Sequence, residues 1–107
     1  MISDDEIEKS LEWLTENVKN AAQARANRET LEDYTRVLKS TIMRENQSES
    51  LGAQEARAYA DPRYKTHLDA LEQAIFMDEG YRWKKSIEET RIECWRTMCS
   101  NERANKI

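Results

Sequence analysis

Apolar side chains in the first part of the chain recur at helical spacing. Ile7, Leu11, Leu14 and Val18 follow a 4-3-4 step and share one face. Continued past Val18, that face meets Ala21, Ala22, Arg25 and Arg28. A second stripe, turned about 120° away at 100° per residue, takes over through Ala24, Leu31, Tyr34, Leu38 and Ile42, and Trp13 falls on it too. Ser3 followed by Glu6 reads as a capping box, with Asp4 and Asp5 suited to the positive end of a helix dipole. The pattern therefore predicts one unbroken helix over residues 4–45. Residues 46–53 (NQSESLGA) are polar, hold Gly52 and read as a linker, and residues 54–60 (QEARAYA) as a short helix. Asp61-Pro62 is a start signal, an N-cap acid followed by proline at the first helical position. The second long helix is expected over residues 62–100, with a frayed tail at 101–107. Its first half shows Tyr64, Leu68, Leu71 and Ile75 on one face. Past Gly80 the apolar positions, Tyr81, Ile92, Trp95, Met98 and Cys99, move to nearly the opposite side. Gly80 marks either a bend, a close backbone approach or a tolerated glycine.

Two helices of about 40 residues, each roughly 60 Å long, make a thin pair. Each has a second apolar stripe, and the large side chains of Trp13, Trp83 and Trp95 are among the residues left to cover. The expected fold is all-α: one helical domain over residues 1–107, two long antiparallel helices with a short helix between them. Thin cores commonly need oligomerisation, so a two-fold homodimer is expected, forming a four-helix bundle or coiled-coil-like assembly. The competing architecture is a monomeric three-helix bundle with the second helix broken at Gly80.

Composition agrees with long exposed helices. Of 107 residues, 38% are hydrophobic and 36% charged, and two Gly and one Pro leave little material for turns. The net charge of -4 is unevenly spread: residues 1–20 carry six acids against Lys9 and Lys19, while residues 81–107 are basic. The opening MISDDEIEKS has no apolar core of a signal peptide, and no run approaches the ~18 apolar residues of a membrane span. Cys94 and Cys99 point about 140° apart on one helix and do not pair with each other. Two reduced thiols point to the cytoplasm.

No catalytic arrangement stands out. His67 is the single histidine, the two cysteines lack C-x-x-C spacing, and no glycine-rich phosphate loop occurs. A non-enzymatic chain without metal or cofactor is expected. His67 is read as a surface residue, and Glu88, Glu89 and Glu93 as solvent-facing acids. The most suggestive stretch is Tyr81-Arg82-Trp83-Lys84-Lys85, continued by Arg91, Trp95 and Arg96. Aromatics among cations suit single-stranded nucleic acid, with stacking for bases and cations for phosphates. Core packing already accounts for Trp95, and Trp83 is the less well explained of the two. Arg25 and Arg28 replace apolar residues on the first face, which fits either a salt bridge to the facing helix or a contact surface. The residues assigned to partner or nucleic-acid contact are thus Arg25, Arg28, Arg82, Trp83, Lys84, Lys85 and Arg96.

Three segments together resemble a group of small helical proteins encoded by tailed bacteriophages. They are AAQARANRETLEDYTRVLKSTIM (21–43), AYADPRYKTHLDALEQAI (58–75) and RWKKSIEETRIECWRTMCSNERA (82–104). The shared pattern is an Ala-Arg-rich first helix with Leu31, Glu32 and Tyr34, then Ala58, Tyr59, Ala60 and Pro62 leading into the second helix. Arg82-Trp83 and Arg91, Ile92, Trp95 and Arg96 follow near the end. The resemblance implies a phage accessory factor, since the group's genes lie among those for DNA recombination and replication, beside single-strand annealing proteins and exonucleases. It implies no catalytic residue. Three functions follow as expectations: an interaction protein working with phage or host proteins of DNA metabolism in the host cytoplasm; direct single-stranded DNA binding through the basic C-terminal third; or inhibition of a host nuclease or defence complex through the acidic faces of residues 4–16 or 69–79.

Overall fold

The computed structural model describes residues 2–106 and contains four α-helices: α1 (Asp4–Glu16), α2 (Val18–Glu45), α3 (Leu51–Ala60) and α4 (Pro62–Asn105). Among the described residues there is no strand, and no helix is long and apolar enough to cross a membrane. The chain is all-α, as its patterning implies.

The helix boundaries have local causes. At the start of α1 the Ser3 hydroxyl accepts from the Glu6 N–H at 3.2 Å, and the Glu6 carboxylate accepts from the Ser3 N–H at 3.4 Å. The expected unbroken first helix is interrupted at Asn17, whose backbone N–H and side-chain amide both donate to the Trp13 carbonyl, each at 3.0 Å. A side chain that competes for a backbone acceptor favours helix ends over interiors. Asn46 repeats the device at the end of α2, donating to the Ile42 carbonyl at 2.9 Å. The expected linker is shorter than eight residues, because Ser50 caps α3 by accepting from the Ala53 N–H and the helix takes in Gly52. Asp61 accepts from the Arg63 N–H at 2.8 Å, so Asp61-Pro62 starts α4 as its chemistry dictates. No break occurs at Gly80: α4 runs through it, and a Cβ built there meets nothing within 4 Å. Of the three readings left open for Gly80, the tolerated glycine fits, and the competing three-helix arrangement, which needed a broken helix, does not. The tail expected to fray from residue 101 is helical to Asn105.

The chain packs as two compact units, Met1–Ala22 with Glu79–Ile107, and Gln23–Asp78. In the first, α1 lies antiparallel to the last part of α4. Asp4 accepts from the Trp95 indole N–H at 3.0 Å, and Trp13 meets Tyr81 with ring centroids 6.4 Å apart. Ile7, Ser10 and Glu88 are buried between them. In the second unit, α2 lies antiparallel to the first part of α4, and α3 closes one end. Its core is Leu38, Ile42 and Ala58, with Met43 and Tyr64 against it. The change of apolar face along each long helix coincides with the change of unit, but the stripes are only partly covered there: Ile7, Leu38 and Ile42 are buried, whereas Leu11, Val18, Tyr34 and Leu68 stay exposed.

Candidate interaction surfaces

In the first unit, the inward face of α4 carries polar as well as apolar side chains. Glu88 is 2% exposed, takes the Lys84 ammonium at 2.7 Å and the Arg91 guanidinium at 3.5 Å, and lies beside the buried Ser10 hydroxyl. The Lys84 hydrogen bond above all, with help from Ser10 and Arg91, holds the Glu88 carboxyl below the usual carboxylate range despite its burial. The Lys84 ammonium also sits 5.6 Å from the centre of the Trp13 ring. Two sequence expectations change here. Glu88 does not face solvent, and the Lys84 head group is engaged within the unit.

The opposite side of the same stretch is open. Trp83 is 69% exposed, and Ile87, one turn on, is about half exposed. Residues four apart lie on one helical face, so the two form an apolar step. A shallow concavity of about 250 Å³ is lined by Glu79, Arg82, Trp83 and Ser86. Cations along this part of α4 carry carboxylates on their own helix: Arg82 with Glu79 at 3.1 Å, Lys85 with Glu89 at 3.6 Å and, further along, Arg96 with Glu93 at 3.0 Å. These are three of the seven cations in residues 81–107, and the segment as a whole keeps three more cations than acids.

In the second unit, Arg25 is exposed and pairs with Glu29 at 3.0 Å on its own helix. Arg28 instead reaches Asp78 of α4 at 3.0 Å as well as Glu32 at 2.9 Å, and Asp78 is 4% exposed. A helix-to-helix salt bridge thus accounts for an arginine on an apolar stripe. The structure brings Arg82, Trp83 and Lys85 together on an exposed stretch, turns Arg28 and Lys84 to internal pairs, and places Arg25 in the other unit.

Sequence reasoning missed three features of the second unit. His67 is buried rather than superficial, with its Nε2 2.7 Å from the Thr35 hydroxyl and its ring edge-on to Tyr34 at 5.4 Å. Lys39 donates to Tyr59 and Glu55 at 2.9 and 3.0 Å, and these bonds, Tyr59 first, push its ammonium up to about 12. Phe76 is among the most exposed apolar side chains, although no stripe included it. Thr35 lies four residues after Leu31 on the second stripe, and that spacing was the available signal for His67's partner. Phe76 left none. Among the described residues no group of three or more His, Cys, Asp and Glu side chains gathers to hold a metal ion. No family model, curated protein or solved structure matches the chain.

Proposed function

We propose that this chain is a non-enzymatic helical interaction protein of the tailed-phage type, a homodimer that works with proteins of DNA recombination or replication. It engages its partner through the outer face of α4 around Trp83. The observation that carries this reading is the large exposed indole beside Ile87, in a unit that buries polar Ser10 and Glu88. Aromatic anchors of this kind supply much of the binding energy at protein interfaces. The phage assignment and its link to DNA metabolism rest on the sequence pattern alone.

Neutralised cations favour a protein partner over nucleic acid, because phosphate affinity comes from cations that displace condensed counterions. The test is photo-cross-linking from position 83 in cells that also make a phage annealing protein and exonuclease, with adducts identified by mass spectrometry. An adduct to a protein of DNA metabolism that disappears on Ile87→Glu is expected. Adducts to nucleic acid alone, matched by a salt-sensitive shift of oligo(dT) that Trp83→Ala abolishes, would replace this reading with direct single-strand binding.

A further inference from the structure

Among the described residues the buried polar side chains are Ser10, His67, Asp78 and Glu88, and each stands against a polar group on the facing helix. The Gln23–Asp78 unit holds two of these pairs. Its buried and half-buried positions include Ala24, Arg28, Leu31, Thr35, Leu38 and Ile42 on α2, and Tyr64, His67, Leu71, Ala74 and Asp78 on α4. On both helices the steps alternate between four and three, the spacing of a heptad seam. In such a seam a slip of one heptad, about 10 Å, carries seam positions onto seam positions. The apolar members tolerate it, since Leu31 takes the place of Leu38 and Leu71 that of Tyr64. The polar members do not. Arg28 meets Asp78 at 3.0 Å, and the Thr35 hydroxyl lies 2.7 Å from His67 Nε2. A slip in one direction brings Arg28 to His67 and carries Asp78 away from its cation. In the other direction His67 faces Ile42, Thr35 faces Ala74, and Arg28 again leaves Asp78. Either way a buried polar group loses its partner, and a stranded polar group costs more than an imperfect apolar contact.

We infer that the Arg28–Asp78 and Thr35–His67 pairs are the register determinants of the α2–α4 seam: they admit one alignment of the two helices where the apolar side chains leave several. Stability alone does not account for them. A buried ion pair gains little over apolar side chains of similar volume, whereas a polar residue in an apolar seam specifies alignment at a cost in stability. The two pairs also differ in kind, a guanidinium with a carboxylate and an imidazole with a hydroxyl, so a slip does not exchange one for the other. Thr35 keeps its own bond to the Leu31 carbonyl at 3.2 Å in any alignment, which leaves His67 and Asp78 as the groups that a slip strands.

The test is the distance between nitroxide labels on Arg25→Cys and Lys65→Cys, two exposed positions on α2 and α4 of this unit, read by pulsed electron paramagnetic resonance. Cys94 and Cys99 are replaced by serine, and the labelled chain is diluted in unlabelled chain so that each distance lies within one copy. With both pairs present one narrow distance is expected, slipped alignments being about 100-fold rarer or more. Arg28→Met, Asp78→Leu, Thr35→Val and His67→Leu together should keep the helical circular dichroism and add a second distance displaced by up to about 10 Å. Either pair replaced alone should keep the single distance, because the other still selects it. Should the fourfold variant lose its helical signal, Arg28→Met with Asp78→Leu and His67→Ala decides in its place. A helical variant without either pair that shows only the parent distance overturns the inference. Loss of the helical signal in both variants overturns it as well, since the pairs then hold the unit together rather than align it.

Discussion

Arg28 separates an internal role from a contact role within a single experiment. Its guanidinium meets Asp78, which is nine-tenths or more buried, and it remains about a quarter exposed itself. Replacing Arg28 by Ala strands a carboxylate whose desolvation is no longer compensated. Breaking a fully buried pair costs 3–5 kcal/mol, and water access to Arg28 lowers that to about 2–3 kcal/mol. With a urea dependence of about 1 kcal/mol/M, typical of small chains, the unfolding midpoint should fall by about 2–3 M. The assay is urea denaturation followed by circular dichroism at 222 nm. Replacing both partners, Arg28→Met with Asp78→Leu, removes the charges together and should recover most of the loss, because apolar replacements of buried pairs are often neutral or stabilising. An arginine held only for a partner behaves as a surface residue, within about 0.5 kcal/mol of the parent on substitution. A loss that small for Arg28→Ala would refute the structural assignment and return Arg28 to the contact surface.

Two further outcomes probe α4. Gly80→Ala should stabilise the protein by about 0.5–1 kcal/mol, since the helix gains a better former and the added methyl meets open space. At about 4–8 °C per kcal/mol the thermal midpoint rises by about 2–8 °C, and a fall would show that the backbone at Gly80 is constrained. Glu88→Gln should cost about 1–2 kcal/mol at neutral pH through the lost charge-assisted bond to Lys84. The Glu88 carboxyl is held below its unfolded value, so its contribution is present above about pH 4.3 and disappears as the pH falls through the lower folded value. Stability curves of parent and variant should therefore converge in acid. Parallel curves down to pH 2 would remove the Glu88 pair from the account.

Where the fold was legible, one residue type at one position sufficed. Ser3 with Glu6 and Asp61 with Pro62 place two helix starts, because a cap needs only its own side chain and the next turn. The misreadings arose where a side chain had two possible partners. Asn17 was taken as helix interior, but its amide competes with the backbone for the Trp13 carbonyl, a choice that propensity does not settle. Glu88 and His67 look like surface residues in a highly charged helix. Their burial follows from which residues face them, Ser10 and Lys84 in one case and Thr35 in the other. Gly80 left three readings open in the sequence, and open space around it in a continuous helix fits the tolerated glycine, which costs stability and imposes no geometry. Trp83 was the less well explained of the two C-terminal tryptophans in the apolar pattern, and the structure leaves it largely exposed.

The electrostatics of α4 bear on the kind of partner proposed for that tryptophan. Ion pairs three or four residues apart on an exposed helix contribute only about 0.3–0.5 kcal/mol each, so they do not lock Arg82, Lys85 or Arg96 in place. Their effect is on the field. An approaching phosphate meets Glu79 with Arg82, Glu89 with Lys85 and Glu93 with Arg96, and attraction and repulsion nearly cancel within the Debye length of about 8 Å at physiological salt. Interleaved charges and an aromatic step instead match the anatomy of a protein interface, with an apolar centre at Trp83 and Ile87 and a polar rim of both signs. A partner helix with acids and bases of its own can exchange pairs with this rim at little net cost, whereas a polyanion must first overcome the carboxylates. The same positive balance in residues 81–107 that points to nucleic acid in the sequence is, in the folded helix, interleaved with carboxylates, which supports the proposed protein partner over a polyanion.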